Sequence, residues 1–187
     1  MLLPPIRVCF VCSGNICRSP TAEVALVRLA DRSDRSHLVA VDSAGTGSWH
    51  AGDDMDERSR RTMSQAGWDV PRHVAKQFEP ALFAARDLVI ALDTGHYNVL
   101  WWLAAETADV DAARAKILML RAFDPELAPG EAPEVGDPYY GRGAGFTTVL
   151  EQVERSCAAL LDAIEHAVAA GAEAVAPLRQ QEERPPR

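Results

Sequence analysis

Long apolar runs are missing from this 187-residue chain: none approaches the roughly 20 residues that a membrane-crossing helix needs. Positive charge is scarce too. The 19 Lys and Arg stand against 27 Asp and Glu, a formal net charge of -8. Such a balance argues against a nucleic-acid binder, whose affinity comes largely from basic side chains on phosphates. Any anion must therefore be held locally rather than by a basic face. The histidines, at 37, 50, 73, 96 and 166, show no paired ligand spacing, so no metal or other cofactor is expected. The start, MLLPPIRVCF, has neither the basic opening nor the small-residue cleavage site of a signal peptide. The expected address is the cytoplasm, with signal-independent export left open. In that compartment Cys9, Cys12, Cys17 and Cys157 should rest as thiols rather than as structural disulfides.

What is present reads as one α/β domain over residues 1–170, followed by an Ala-, Pro- and charge-rich tail, 171–187, expected to be disordered. The segments IRVCFV (6–11), HLVAV (37–41), DLVIAL (87–92) and KILML (116–120) are short and almost wholly apolar. Strands covered on both faces look like this, so a four-stranded parallel sheet flanked by helices on both faces is expected. Helical patterns run from Pro20 to about Ala30, Asp56 to Gln65, about Gly95 to Glu106, and Gly145 to Ala169. In the last, Phe146, Val149, Leu150, Val153, Cys157, Leu160, Leu161 and Ile164 recur at steps of three and four, one apolar stripe with charges opposite. Cys157 on that stripe and Cys9 in mid-strand are read as core, Trp101 and Trp102 as helix packing, and His50 and His96 as structural.

Doubly wound sheets bind ligands beyond the carboxyl ends of their strands. The segments there are polar: CSGNICRS after the first strand, DSAGTGSWH after the second and DTGHYN after the third. The first is chemically the richest. A tight loop ahead of a helix N-terminus can turn successive main-chain N–H groups inward as an anion cradle without lysines. Ser13, Gly14, Asn15, Ile16, Cys17 and Arg18 would supply those amides, with Gly14 and Asn15 accepting the unusual φ values. The Arg18 fork can bind two phosphate oxygens at once. An arginine and a helix end nearby favour the thiolate of Cys12, so the loop presents a nucleophile beneath an oxyanion cradle. Sulfur attack on phosphorus would give a cysteinyl-phosphate. An aryl leaving group, a phenolate of pKa about 10, then needs an acid. The long Pro/Gly connection 123–145 offers Asp124 and Asp137, each before proline; only Asp137 is followed by aromatics, in DPYYG, and it is preferred.

VCSGNICRSP resembles the signature loop of the low-molecular-weight protein tyrosine phosphatases, and DPYYG resembles that family's general-acid loop. SAGTGSWH (43–50), His73 in RHVAKQF and ALDTGHYNVL (91–100) also match, and the resemblance, nearest to actinobacterial members, spans about Ile6 to Ala169. It implies Cys12 as nucleophile, Arg18 as phosphate clamp, Ser19 as hydroxyl donor to the sulfur, and Asp137 as acid and then base. It implies a supporting network joining Asn15, Ser43 and His73, and pocket walls of Trp49, Tyr139 and Tyr140. Trp49 also sits in a polar Gly/Ser loop without apolar neighbours, which places it at a rim. Cys17 has two readings, a partner that traps the oxidised nucleophile as a reversible disulfide or a residue that simply packs. The implied substrates are phosphotyrosine-containing proteins, with no nucleic acid and no membrane, and a monomer as the default.

Other functions fit less well. A redox or zinc pair of Cys9 and Cys12 is disfavoured because Cys9 belongs to the strand, where residues three apart point to opposite faces. Arsenate reductases of similar fold need a downstream cysteine pair, and only Cys157 follows Cys17. Arginine phosphatases of the family carry Thr where this chain has Ile16, and the apolar residue favours an aryl substrate. A phosphotyrosine-binding module without turnover would lack an acid at position 137.

Overall fold

Strand β1 (Ile6–Cys12) is the hub of the architecture. It pairs in parallel with β2 (Val39–Gly45) on one side and β3 (Leu88–Ala91) on the other, and β3 pairs with β4 (Ile117–Met119), giving the order β2-β1-β3-β4. The structure, a computed structural model, describes residues 4–141 and 143–171. Side chains alternate along β1 and β3 because successive residues of a strand face opposite ways. Val8, Phe10 and Ile90 enter one apolar layer, and Cys9, Val11 and Val89 the other. All six are fully buried, which is why these strands read as continuous apolar runs.

The first layer is closed by α1 (Arg18–Arg32), α2 (Glu57–Gln65) and α6 (Gly143–Ala170). The expected stripe of α6 is the face that packs: Val153, Cys157, Leu160, Leu161 and Ile164 are fully buried. A large aliphatic side chain buried this way is worth about 1.5–3 kcal/mol. The second layer holds α3 (Leu82–Ala85), α4 (Thr94–Leu103) and α5 (Val110–Ala115). Helices therefore cover both faces of one parallel sheet, as the sequence leads one to expect. Among the described residues no helix is long and apolar enough to cross a membrane.

Three expectations need correction. The second strand does not occupy 37–41: Ser36–Leu38 is a 3₁₀ turn and the strand runs on to Gly45, in register with β1 up to Cys12. Asp42 and Ser43 disguised it, because two polar residues in a row look like a loop. Here Asp42 is paired with Lys76 and Arg86, and Ser43 with Asn15 and Glu23. Second, α3 and α5 carry too few residues to show a helical period and were not anticipated. Third, Trp102 does not pack but is 72% exposed. At 100° per residue it stands about 200° from Leu100, the residue of α4 that reaches the core. Trp101 is half-buried, stacked on Tyr97 and covered by Arg114. The tail expected to be disordered, 171–187, lies outside the described residues except for Gly171.

Candidate active site

The loop between β1 and α1 is built by turning its carbonyls outward. Thr46 N donates to Cys12 O at 2.7 Å, Gly47 N to Ser13 O at 3.0 Å and Asp56 N to Ile16 O at 2.8 Å. His73 Nε2 donates to Asn15 O at 2.8 Å. Thr21 bonds Cys17 O through both its N–H and its hydroxyl. Among the described residues the N–H groups of residues 13–17 donate to no other main-chain or side-chain group. Unclaimed amides on the inner side of a ring, ahead of a 15-residue helix with no side-chain cap, form a positive nest. Asn15 holds the turn at φ 56°, a left-handed value that asparagine tolerates better than most residues. The loop also lies directly on Gly45, where a Cβ would stand 2.7 Å from Ser13 O.

Behind the nest a buried polar network pins Asn15. Its Nδ2 donates to Ser19 Oγ at 2.9 Å and Ser43 Oγ at 2.8 Å, and its Oδ1 accepts Lys76 N at 2.9 Å. Ser43 in turn donates to Glu23 Oε2 at 2.6 Å. Ser19 Oγ lies 3.0 Å from Cys12 Sγ and 3.2 Å from Ala44 O. With Asn15 donating to it, Ser19 has one proton to give, and a thiolate at Cys12 competes for it with a neutral carbonyl. The structure thus brings Ser19, Asn15, Ser43 and His73 together, and adds Glu23 and Lys76, which local sequence did not suggest.

Arg18, 3% exposed, reaches across the nest. Nη1 donates to Asp93 Oδ2 at 2.7 Å and Val135 O at 3.1 Å. Nη2 lies 3.3 Å from Asp137 Oδ2. Asp93 caps α4, accepting His96 N through Oδ1 at 2.8 Å. Burial works to raise the Asp93 carboxyl, but the close imidazole of His96, the hydrogen bond from His96 N and the charge of Arg18 prevail and hold it well below the usual carboxylate range. His96 is buried against the loop, with Nε2 at 2.8 Å from Ser13 Oγ. Its Nδ1 comes within 3.0 Å of Asp93 Oδ1 but makes no hydrogen bond of acceptable angle. His96 is thus a buried, structural histidine whose place is against this loop, and Asp93 is a neighbour of Arg18 that sequence reasoning missed. The polar segment DTGHYN at the end of β3 was the available signal.

The nest opens into a cleft of about 510 Å³ lined by Cys12, Ser13, Gly14, Ile16, Cys17, Arg18, Trp49, His50, Asp137, Tyr139 and Tyr140. Trp49 is 67% exposed and its indole lies against Gly47; Tyr139 and Tyr140 meet edge to face at 5.1 Å, with Tyr140 91% exposed. His50, read from the sequence as structural, is paired with Asp53 at 3.0 Å and borders the same opening. Asp124 is elsewhere, its carboxylate fully buried beside Arg121 and Arg155. Burial, reinforced by the charge of Asp56, pushes the Cys17 thiol up to about 12. Burial likewise raises Cys9 and Cys157, which sit in the core.

A family model described as "Low molecular weight phosphotyrosine protein phosphatase" matches residues 7–170. The chain is 44% identical over 162 residues to the low molecular weight protein-tyrosine-phosphatase of Streptomyces coelicolor, covering 87% of this chain and 95% of that one. It is 36% identical over 165 residues to the low molecular weight protein-tyrosine phosphatase A of Mycobacterium tuberculosis, covering 88% and 95%. Among solved structures it is similar to a protein tyrosine phosphatase from Entamoeba histolytica crystallised with Hepes in the active site. That likeness has a TM-score of 0.76 at 29% identity and covers 87% of this chain and 99% of that one.

Proposed function

The chain belongs to the low molecular weight phosphotyrosine protein phosphatase family, and on that footing we propose that it hydrolyses phosphotyrosine in proteins through a cysteinyl-phosphate on Cys12. The observation that carries this reading is the ring of outward-turned carbonyls, which leaves the amides of residues 13–17 and the Arg18 guanidinium facing one anion site beside Cys12 Sγ. A phosphate held there is oriented for in-line attack. The S–P bond forms as the P–O bond to the phenol breaks. Three equatorial oxygens then carry charge into a preorganised set of donors, which need no rearrangement at that moment.

Asp137, at the mouth of the cleft and 39% exposed, is the proton donor to the departing phenolate. In the second half-reaction its carboxylate takes a proton from the water that attacks phosphorus, and the S–P bond breaks to return the Cys12 thiolate and free phosphate. Ser19 stabilises that thiolate as a leaving group by swinging its proton from Ala44 O to sulfur. Ile16, Trp49, Tyr139 and Tyr140 give the cleft apolar walls beside the nest, which supports phosphotyrosine over smaller alkyl phosphates.

The test is turnover of p-nitrophenyl phosphate with EDTA present. Cys12→Ser should abolish it, and rapid acid quenching of the wild-type enzyme should trap labelled phosphate on the protein. Retained activity in Cys12→Ser would remove the nucleophile assignment.

A further inference from the structure

We propose that Arg58, on α2, is the positioning residue that holds the acid loop over the phosphate nest. The inference rests on Asp137 being the general acid. Among the described residues, the main chain of 136–141 makes a single hydrogen bond to a group outside that stretch: Arg58 Nη1 donates to Tyr139 O at 3.0 Å. Its other bonds are internal, Gly141 N to Pro138 O and Tyr139 N to Asp137 Oδ1 at 3.1 Å. Through that last bond the residue whose carbonyl Arg58 grips is tied to the carboxylate itself.

Arg58 is in turn fixed to the nest. Its Nε and Nη2 form a fork on the two carboxylate oxygens of Asp56 at 3.0 and 2.8 Å. The main-chain N–H of Asp56 donates to Ile16 O, inside the phosphate loop. The guanidinium also lies over two rings, 5.3 Å from the centroid of Tyr139 and 4.7 Å from that of Phe146. A continuous path of short polar contacts therefore runs from Ile16 through Asp56 and Arg58 to Tyr139 and Asp137. Only a planar fork with a spare N–H can hold a carboxylate at two points and a carbonyl at a third; a lysine ammonium cannot reproduce that geometry.

Arg18 also meets the Asp137 carboxylate and Pro138 is buried, so cutting the Arg58 tie should shift the main chain of this loop rather than release it, and a displacement of about 1 Å can cost a hundredfold where orientation matters. The step that suffers is proton donation, so the loss should depend on how much the leaving group needs a proton. Arg58 also carries a positive charge near the cleft. Had it acted only by attracting phosphate, its removal would weaken every substrate alike.

The experiment measures kcat/KM for Arg58→Met, Arg58→Lys, Asp137→Asn and the Arg58→Met/Asp137→Asn double variant. The substrates are a phosphotyrosine peptide and p-nitrophenyl phosphate, whose leaving group departs without a proton. Arg58→Met should lose about tenfold on the peptide and less than about threefold on the ester, with Arg58→Lys intermediate. In the Asp137→Asn background Arg58→Met should cost no more on the peptide than on the ester, because the group it positions is gone. Equal losses on both substrates in the single Arg58 variants, or additive losses in the double variant, overturn the inference. If Asp137→Asn itself affects both substrates equally, it is the acid assignment that fails. Should Arg58→Met melt early, Arg58→Lys decides alone, since it keeps the charge and loses only the fork.

Discussion

Asp93 and Arg18, 75 positions apart in the chain, meet at 2.7 Å, and the carboxylate that caps α4 is thereby the fixed counter-charge of the proposed phosphate clamp. The guanidinium is almost wholly buried while Asp93 keeps a solvent-facing edge. The pair orients the arginine and leaves its Nη2 edge toward Ser13 and Asp137.

Asp93→Asn keeps the shape of the cap and removes the charge on which Arg18 rests. The expected outcome is a fall of about tenfold in kcat/KM for p-nitrophenyl phosphate, the scale of a mispositioned binding group. An unchanged value would show that Val135 O alone suffices to aim the guanidinium.

Asn15 combines a left-handed backbone with side-chain bonds to Ser19, Ser43 and Lys76 N. Asn15→Ala and Asn15→Gly delete the same bonds, each worth about 1 kcal/mol. Glycine alone is free of the cost of positive φ, so Asn15→Gly should be more stable than Asn15→Ala by about 1 kcal/mol in urea unfolding. Both should lose activity, because Ser19 is no longer held against Cys12.

Two glycines near the cleft should behave differently. At Gly45 an added methyl meets the backbone of the phosphate loop, Ser13 O at 2.7 Å, and nothing there can yield. Gly45→Ala is expected to cost stability and nearly all turnover. At Gly47 the methyl meets the exposed indole of Trp49, which can swing away. Gly47→Ala should leave the melting temperature close to wild type and raise KM for aryl phosphates a few-fold, with kcat little changed.

The fold should weaken in alkali. Burial raises the Cys17 thiol from its ordinary value near 9 to about 12. A group raised in the folded state contributes stability that is fully present below the unfolded value and is lost as pH climbs through the folded one. Stability should therefore be level below about pH 9 and decline towards 12, and Cys17→Ala should make that decline shallower. Urea midpoints measured at intervals from pH 8 to 11 check it; identical slopes for the two proteins would contradict the buried-thiol account.

Much of this molecule is written locally. The apolar runs at β1 and β3 and the stripe from Phe146 to Ile164 announce the sheet and its long covering helix, because burial on a periodic element must repeat with that element's period. The loop from Cys12 to Ser19 is legible for a related reason: nucleophile, tight turn, clamp and helix start are consecutive, so one short stretch holds most of the chemistry. Asp137 could be singled out because proline and two tyrosines mark its surroundings.

What the chain folded in space decided is the set of polar partnerships between distant segments. Glu23 on Ser43, Asp93 on Arg18, His96 on Ser13 and Arg58 on Tyr139 O are each made by one residue against a group far along the chain. A single contact of that kind has no period and leaves no pattern in its own neighbourhood. The same holds for Asp42, whose pairing with Lys76 and Arg86 let a strand continue where two polar residues suggested a loop. Sequence alone thus determined the principal strands, the long helices and which cysteine is the candidate nucleophile, since those depend on neighbours in the chain. Only tertiary structure decided how the clamp and the acid are held, since their restraints come from side chains that the parallel sheet gathers at its carboxyl edge.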